Sequence, residues 1–443
     1  MFSLALALVL ANGSARAQIQ DSAASADTTV VVRYGQSLLG IAAQFLESSQ
    51  YFTTAELVAA MRHENDLQTD RLLPGQPLQI PLRPQSVIED IPRIVDPRPA
   101  HGIYATATTA GSPRMMVLAD SLVAAGGNTM VFEVKDRAGD LSYVSSAPLA
   151  QRTQVDSLAP VRRPTALVSQ LHRRGLHVVA RLTCFYDERM ATARPDLAPR
   201  MPDGTAWDSG WLDPSKVETQ DYLLDVVDEL VSFGVDEVQL DYVRFPTENS
   251  ADSVLFDFAD SLSRHVIVTD FVRRVRDRLA GTGVLLAADV FGVAAWGHRA
   301  DRDRLGQHLP DLLPLLDVVC PMLYPSHFYG NFLGMTNPVE YPYFLVSEGV
   351  RRLLPLAQSH GVAIRPWVQS FPYRIANFDE TYVAEQMQGA AEAGADGCML
   401  WNPASRYKVG IAAMRQFIDG TVEPSQDRSP QLLGVRTEIP SDM

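Results

Sequence analysis

Cysteine is scarce in this chain: three residues in 443, Cys184, Cys320 and Cys398. Each lies in an apolar, strand-like stretch, and no C-x-x-C pair occurs. An odd count would allow one bridge and one free thiol, but the expectation is three buried thiols acting as small hydrophobes. His and Cys do not gather at zinc-ligand spacing, and no Asp/His/His set is visible in the sequence. No metal or cofactor is therefore expected, and a polysaccharide deacetylase is disfavoured. Basic residues are also few, 38 Lys and Arg against 52 Asp and Glu, for a net charge of −14. That argues against a nucleic-acid or anionic-membrane partner, both of which need clustered cations. Beyond the first residues no run approaches the roughly 20 apolar residues of a membrane span. The stretch Thr106 to Gly111 is not a dinucleotide-binding glycine fingerprint.

What is present fits a soluble globular protein: 46% hydrophobic and 20% charged residues, long enough for one large domain and a smaller module. An apolar run from Phe2 to Leu10 precedes Ala15-Arg16-Ala17, a small-x-small cleavage signal. Residues 1–17 read as a secretory signal peptide without its basic start, the alternative being a disordered apolar terminus. No Cys follows the cleavage point, so no lipid anchor is expected. The expected location is periplasmic, cell-envelope or extracellular.

Residues 28–82 form a compact α+β pattern: a short strand, a turn at Gly35, helices near 38–45 and 54–62, and a closing strand at 78–80. The motifs R-Y-G-Q-S-L-L-G-I-A-A-Q-F, H-E-N-D-L and L-L-P-G-Q-P-L-Q-I-P resemble a LysM module. Gln36-Ser37 stands where that family usually has Asp-Thr, and the segment between the helices is longer. The resemblance implies a partner rich in N-acetylglucosamine, such as peptidoglycan or a chitin-like glycan; a LysM-shaped spacer is the alternative. Residues 83–99 hold four prolines and read as a linker, and 418–443 as a disordered tail.

Between them, residues 100–417 alternate strand and helix eight times. Strands are expected at 102–106, 129–134, 177–183, 237–240, 284–288, 318–322, 363–368 and 397–400, with helices such as 217–233, 269–279 and 382–393. This argues for an α/β fold, a (β/α)8 TIM barrel. In such a barrel function sits at the strand ends. The fourth strand runs into Asp241, Tyr242 and Arg244, and the fifth into Asp289. Neighbouring strands lie about 4.8 Å apart, which favours the short carboxyl separation of a retaining glycosidase. Asp241 is then nucleophile or stabiliser, kept ionised by Arg244, and Asp289 the general acid, its pKa raised by burial. A structural salt bridge or helix cap is the alternative for either. Glu133, Lys135, Tyr242, Arg244, Tyr324, His327, Trp367, Gln369 and Trp401 are the expected sugar contacts, since rings stack on pyranoses and amides or Arg bind hydroxyls. Glu133 and Lys135 equally suit a buried ion pair, and Trp207 and Trp211 suit either a sugar platform or the core. Asp213-Pro214 reads as a helix N-cap with Pro at the first turn.

The motifs W-L-D-P-S, V-D-E-V-Q-L-D-Y-V-R-F-P, A-A-D-V-F-G, V-V-C-P-M-L-Y-P-S-H-F and I-R-P-W-V-Q-S-F occur in order. Together they resemble a bacterial family of glycoside-hydrolase type with a TIM-barrel fold. V-F-E-V-K-D replaces the family's usual V-x-D-V-K-D, and C-F-Y-D-E replaces F-K-D-P, so Asp136 and Asp187 keep the acids but the Lys beside Asp187 is absent. The fourth strand is also similar to the chitinase motif D-G-x-D-x-D-x-E, with Asp241 at the last Asp and Val243 at the acid Glu. A chitinase-type substrate-assisted mechanism therefore lacks its proton donor here. The resemblance implies hydrolysis of an extracellular or envelope polysaccharide; a non-catalytic glycan-binding or envelope-organising protein on the same scaffold is the alternative.

Overall fold

The computed structural model describes residues 28–49, 51–82, 96–247, 253–258, 262–329 and 331–422. The expected leader, most of the linker and most of the tail lie outside these residues.

The N-terminal unit pairs β1 (Thr28–Val31) antiparallel with β2 (Pro77–Ile80) and packs helices Leu38–Phe45 and Thr54–Glu64 against them. Its helices start where the sequence offers caps: Ser37 accepts from Gly40 N, and Thr53 with Glu56 makes a reciprocal capping box. Leu38, Ile41, Leu57, Met61, Leu78 and Ile80 form a core of their own. Asn65 closes the unit, its amide donating to Met61 O and Gln79 O while its oxygen accepts from Gln79 N. Arg163 reaches across to the carbonyls of Leu46, Ser49 and Tyr51.

The larger unit is a closed barrel of eight parallel strands. In chain order these are β3 (Ala100–Ala105), β4 (Thr129–Lys135), β5 (His177–Thr183), β6 (Glu237–Asp241), β7 (Leu285–Phe291), β8 (Val318–Met322), a divided strand made of β9 (Ala363–Ile364) and β10 (Trp367–Gln369), and β11 (Gly397–Trp401). Pairing runs from β3 to β9 in sequence, and β10 closes the ring between β8 and β11. The expected strand 363–368 is divided because Pro366 has no N–H to give the ladder, although its carbonyl still accepts from Met399 N. The expected helices form, the last of them running from Glu380 to Glu392.

Along each strand the period of two separates two environments. Val238 and Leu240, Leu286 and Ala288, and Met130 and Phe132 face the helices in the main core. Val131, Val179, Ala287, Val318, Cys320 and Met399 fill the barrel interior. Polar groups sit above and below that apolar layer. Below it, Glu237 takes hydrogen bonds from Arg365 Nη1 at 2.7 Å and pairs with His177 at 3.1 Å. Above it lie Glu133, Arg181, Asp241 and Asp289. All three cysteines are free and buried, and burial pushes the Cys398 thiol up to about 12.

Candidate active site

Above the apolar layer the barrel mouth opens into a cavity of about 390 Å³, within the range of small-ligand sites. Both candidate carboxylates line it, together with Arg181, Tyr242, Arg244, Tyr324, His327, Trp367 and Trp401. Asp241 ends β6 and Asp289 is the fifth residue of β7, on the same inward-facing rows. Arg181 Nε stands 3.1 Å from Asp241 Oδ2 and 4.0 Å from Asp289 Oδ2. The two oxygens are therefore no further apart than the sum of those distances, 7.1 Å.

Arg181 organises this group. Its Nη2 donates to Asp241 Oδ2 and its Nη1 to Glu133 Oε1 at 3.0 Å. Its guanidinium carbon lies 5.1 Å from the Trp401 ring centre and 5.6 Å from that of Tyr104. Burial opposes its charge, but Asp241, Tyr104, Glu133 and Asp289 together hold its pKa well above the ordinary value. The cation beside Asp241 is thus Arg181 and not Arg244, the residue expected to keep it ionised. Arg244 packs between Phe291, Trp211 and Tyr242, at 4.3, 4.8 and 5.2 Å from their ring centres, and donates to Phe245 O. The signal for Arg181 was there: it is the one charged residue in H-V-V-A-R-L-T, in phase with inward-facing Val179.

Asp289 differs from Asp241 in its surroundings. It is fully enclosed, and burial first, then the negative charge of Asp241, holds its carboxyl well above the usual range. Arg181 and the indole N–H of Trp367, which donates to Asp289 Oδ1 at 2.7 Å, oppose that rise only in part. Asp241 Oδ1 accepts from the N–H of Tyr242 at 2.6 Å. Tyr242 makes that bond with φ at 50°, a left-handed conformation costly for a bulky residue. Burial and the nearby Asp289 and Asp241 charges raise the Tyr324 pKa far above its ordinary value, so its hydroxyl stays protonated. Burial, then Arg374, lowers that of His327. Trp401 stacks on Tyr104 at 4.2 Å and meets Trp367 edge-on at 5.5 Å, giving the mouth an aromatic wall.

Three expected contacts lie elsewhere. Lys135 is wholly buried; its Nζ pairs with Asp187 at 2.8 Å and donates to the Thr183 and Cys184 carbonyls. A register irregularity in β4 between Glu133 and Lys135 turns it off the inner row. Glu133 stands behind Arg181 and does not pair with Lys135; its Oε2 accepts from Ala107 N. Burial raises its pKa, against the pull of Arg181. Gln369 spends its amide on the Phe371 and Tyr373 carbonyls and on Ser326 N, bracing the loops behind the cavity. Trp211 and Trp207 are buried in the core. Asp213 does not cap the helix Val217–Phe233; it accepts from Ser215 and from Asp257 N, closing a turn ahead of it. Val243 is in the core, so no acid is lost from the cavity there. Asp187 finds its cation in Lys135, although no Lys adjoins it in sequence.

Folding also assembles an Asp/His/His set that the sequence hides: His265, His308 and Asp311, none of which lines the cavity.

Residues 102–407 match the family described as "Putative glycosyl hydrolase domain", DUF4015. Among solved structures the chain is similar to the PgaB (BpsB) glycoside hydrolase domain from Bordetella bronchiseptica, with a TM-score of 0.53 and 13% identity over 72% of this chain and 98% of that one. That likeness is one of fold. A hypothetical protein from Ruminiclostridium thermocellum ATCC 27405 shares 30% identity over 42% of this chain and 97% of its own, with a TM-score of 0.39. The Bacillus cereus spore cortex-lytic enzyme SleL aligns at 12% identity over 88% of this chain and 86% of its own, with a TM-score of 0.40. A search of the curated proteins gave no match.

Proposed function

The chain belongs to the DUF4015 "Putative glycosyl hydrolase domain" family, and from that premise we propose that it is an exported glycoside hydrolase acting on a cell-envelope or extracellular polysaccharide. The observation that carries this is the unequal carboxyl pair in one cavity. Asp289 keeps its proton and serves as general acid toward the glycosidic oxygen. Asp241, ion-paired to Arg181, is the nucleophile or the stabiliser of the oxocarbenium-like transition state. Their oxygens lie within 7.1 Å, the sum of the two Arg181 distances. That bound admits the spacing of about 5–5.5 Å used by retaining enzymes and little of the inverting range, so retention is the favoured outcome. Trp401, Trp367 and Tyr324 offer faces and donors for sugar rings.

The N-terminal βααβ unit is proposed to act as a LysM-type anchor on N-acetylglucosamine-containing glycan, raising the local substrate concentration. One observation favours a second reading, a non-catalytic glycan-binding barrel. Arg181 holds Glu133 and Asp241 together, as a purely structural ion network would.

Incubation of the purified protein with peptidoglycan, chitin and α- and β-glucans, followed by product analysis, separates the two. Asp241→Asn is expected to lower turnover at least about a thousandfold while glycan binding persists. Equal turnover in parent and variant would remove Asp241 from the chemistry.

A further inference from the structure

His265 lies in the first turn of the helix Arg264–Leu279, while His308 caps the short helix Leu309–Leu312 that holds Asp311. Their donor atoms all lie within 4.8 Å of one another. His308 Nδ1 is 2.7 Å and His265 Nδ1 3.8 Å from the same Asp311 oxygen, and the two imidazole centres are 5.3 Å apart. A His–Asp hydrogen bond accounts for His308 and Asp311. It does not account for a second imidazole turned to the same carboxylate. All three side chains are partly exposed, so an ion can enter and water can complete its shell. Donors around a tetrahedral ion at 2.0–2.2 Å stand about 3.4 Å apart, so side-chain torsions need to close roughly 1 Å.

We propose that His265, His308 and Asp311 form a binding site for a divalent transition-metal ion. Two imidazoles and one carboxylate suit Zn²⁺, Ni²⁺ or Co²⁺, whereas Ca²⁺ and Mg²⁺ prefer all-oxygen shells. The nearby arginines are engaged: Arg302 Nε pairs with Asp303 at 2.9 Å, and Arg264 donates to Arg304 O and lies over the Phe245 and Phe256 rings.

The surroundings give the ion a task. Gln307, next to His308, donates through Nε2 to Asp289 O at 3.1 Å, and its Oε1 accepts from Phe291 N at 3.0 Å. Leu305 O accepts from Phe245 N at 2.8 Å. The segment 305–311 is thereby stitched to the chain around β6 and β7, the strands that carry Asp241 and Asp289. An ion joining His308 and Asp311 to His265 ties that segment to the helix following β6. It acts as a structural clamp behind the carboxyl pair, not as a reacting centre, since none of its ligands lines the cavity.

The test uses the full chain, stripped with EDTA and titrated with Zn²⁺ by calorimetry and with Co²⁺ by visible absorption. One equivalent of Zn²⁺ is expected to bind and to raise the melting temperature, with no rise on adding Ca²⁺. His265→Ala and His308→Ala should each weaken Zn²⁺ binding by at least about tenfold and abolish the melting shift, circular dichroism confirming that they fold. Asp311→Asn should change the Co²⁺ spectrum. Zn²⁺ affinity equal in the parent and both histidine variants, or no binding at about 0.1 mM Zn²⁺, would overturn the site.

Discussion

Replacing Asp289 by Asn tests the protonation state on which the proposed chemistry depends. Burial and the Asp241 charge hold the Asp289 carboxyl well above its usual range in the folded chain. In the unfolded chain it ionises near 3.9. Above that pH the unfolded chain has lost a proton that the folded chain keeps. Stability therefore falls as pH rises, by about 1.4 kcal/mol per pH unit, until the folded pKa is passed. Asparagine removes this dependence. Its oxygen can still accept from Trp367 Nε1, now 2.7 Å from Oδ1, but its NH₂ takes the place of Oδ2, 4.0 Å from Arg181 Nε. That misplaced donor costs roughly 1 kcal/mol at any pH. From about pH 5 upward the stability of the variant relative to the parent should thus rise with pH until the folded pKa is passed. Guanidinium denaturation followed by tryptophan fluorescence reads the barrel alone, because all five tryptophans, 207, 211, 296, 367 and 401, lie outside the N-terminal unit. A stability difference that stays flat across that range would mean that Asp289 is ionised in the fold, and the general-acid assignment would fail with it.

Arg181→Met leaves Glu133 and Asp241 buried without their cation and is expected to cost about 3–5 kcal/mol; unaltered stability would show that the ion network contributes nothing to the fold. Lys135→Met should cost a similar 3–5 kcal/mol through Asp187, yet leave KM unchanged where the protein is folded, because Lys135 lies outside the cavity. A large rise in KM would contradict that placement. Gly397→Ala sets a Cβ 1.9 Å from Ala100 O at a φ of +118° and should destabilise the barrel by about 3 kcal/mol or more, read as a lower melting temperature.

The barrel was legible because each strand segment is apolar, bounded by turn residues and followed by an amphipathic stretch. His177–Thr183 and Val318–Met322 fold over the expected spans. Asp241 and Asp289 were legible as acids on neighbouring strands, although β7 runs two residues past Asp289, to Phe291. What escaped was whatever depends on side-chain direction or on contacts across the ring. Arg181 looked like part of an apolar strand until the inward phase of its neighbours was known. Lys135 shares the parity of Glu133 in sequence, but the irregularity in β4 undoes it, and no composition signal marks that. The seventh strand was expected undivided over 363–368; Pro366 carried the signal of its division, since a proline cannot serve a central ladder. His265 and His308 meet only through the packing of a helix against a loop, so no local pattern could pair them.

The divided strand has a consequence for how the mouth moves. A closed barrel has no edge, yet β10 meets β8 through one residue pair, Trp367 with Met322. The ring should breathe most readily there, with amide hydrogen exchange faster than in β5 at Leu323, whose N–H donates to Trp367 O across the seam. The same Trp367 holds the Asp289 carboxyl, and its N–H favours the ionised form. The weakest junction of the ring thus lies at the residue that positions the proposed acid, so loosening of the seam and placement of the Asp289 proton are coupled through one indole.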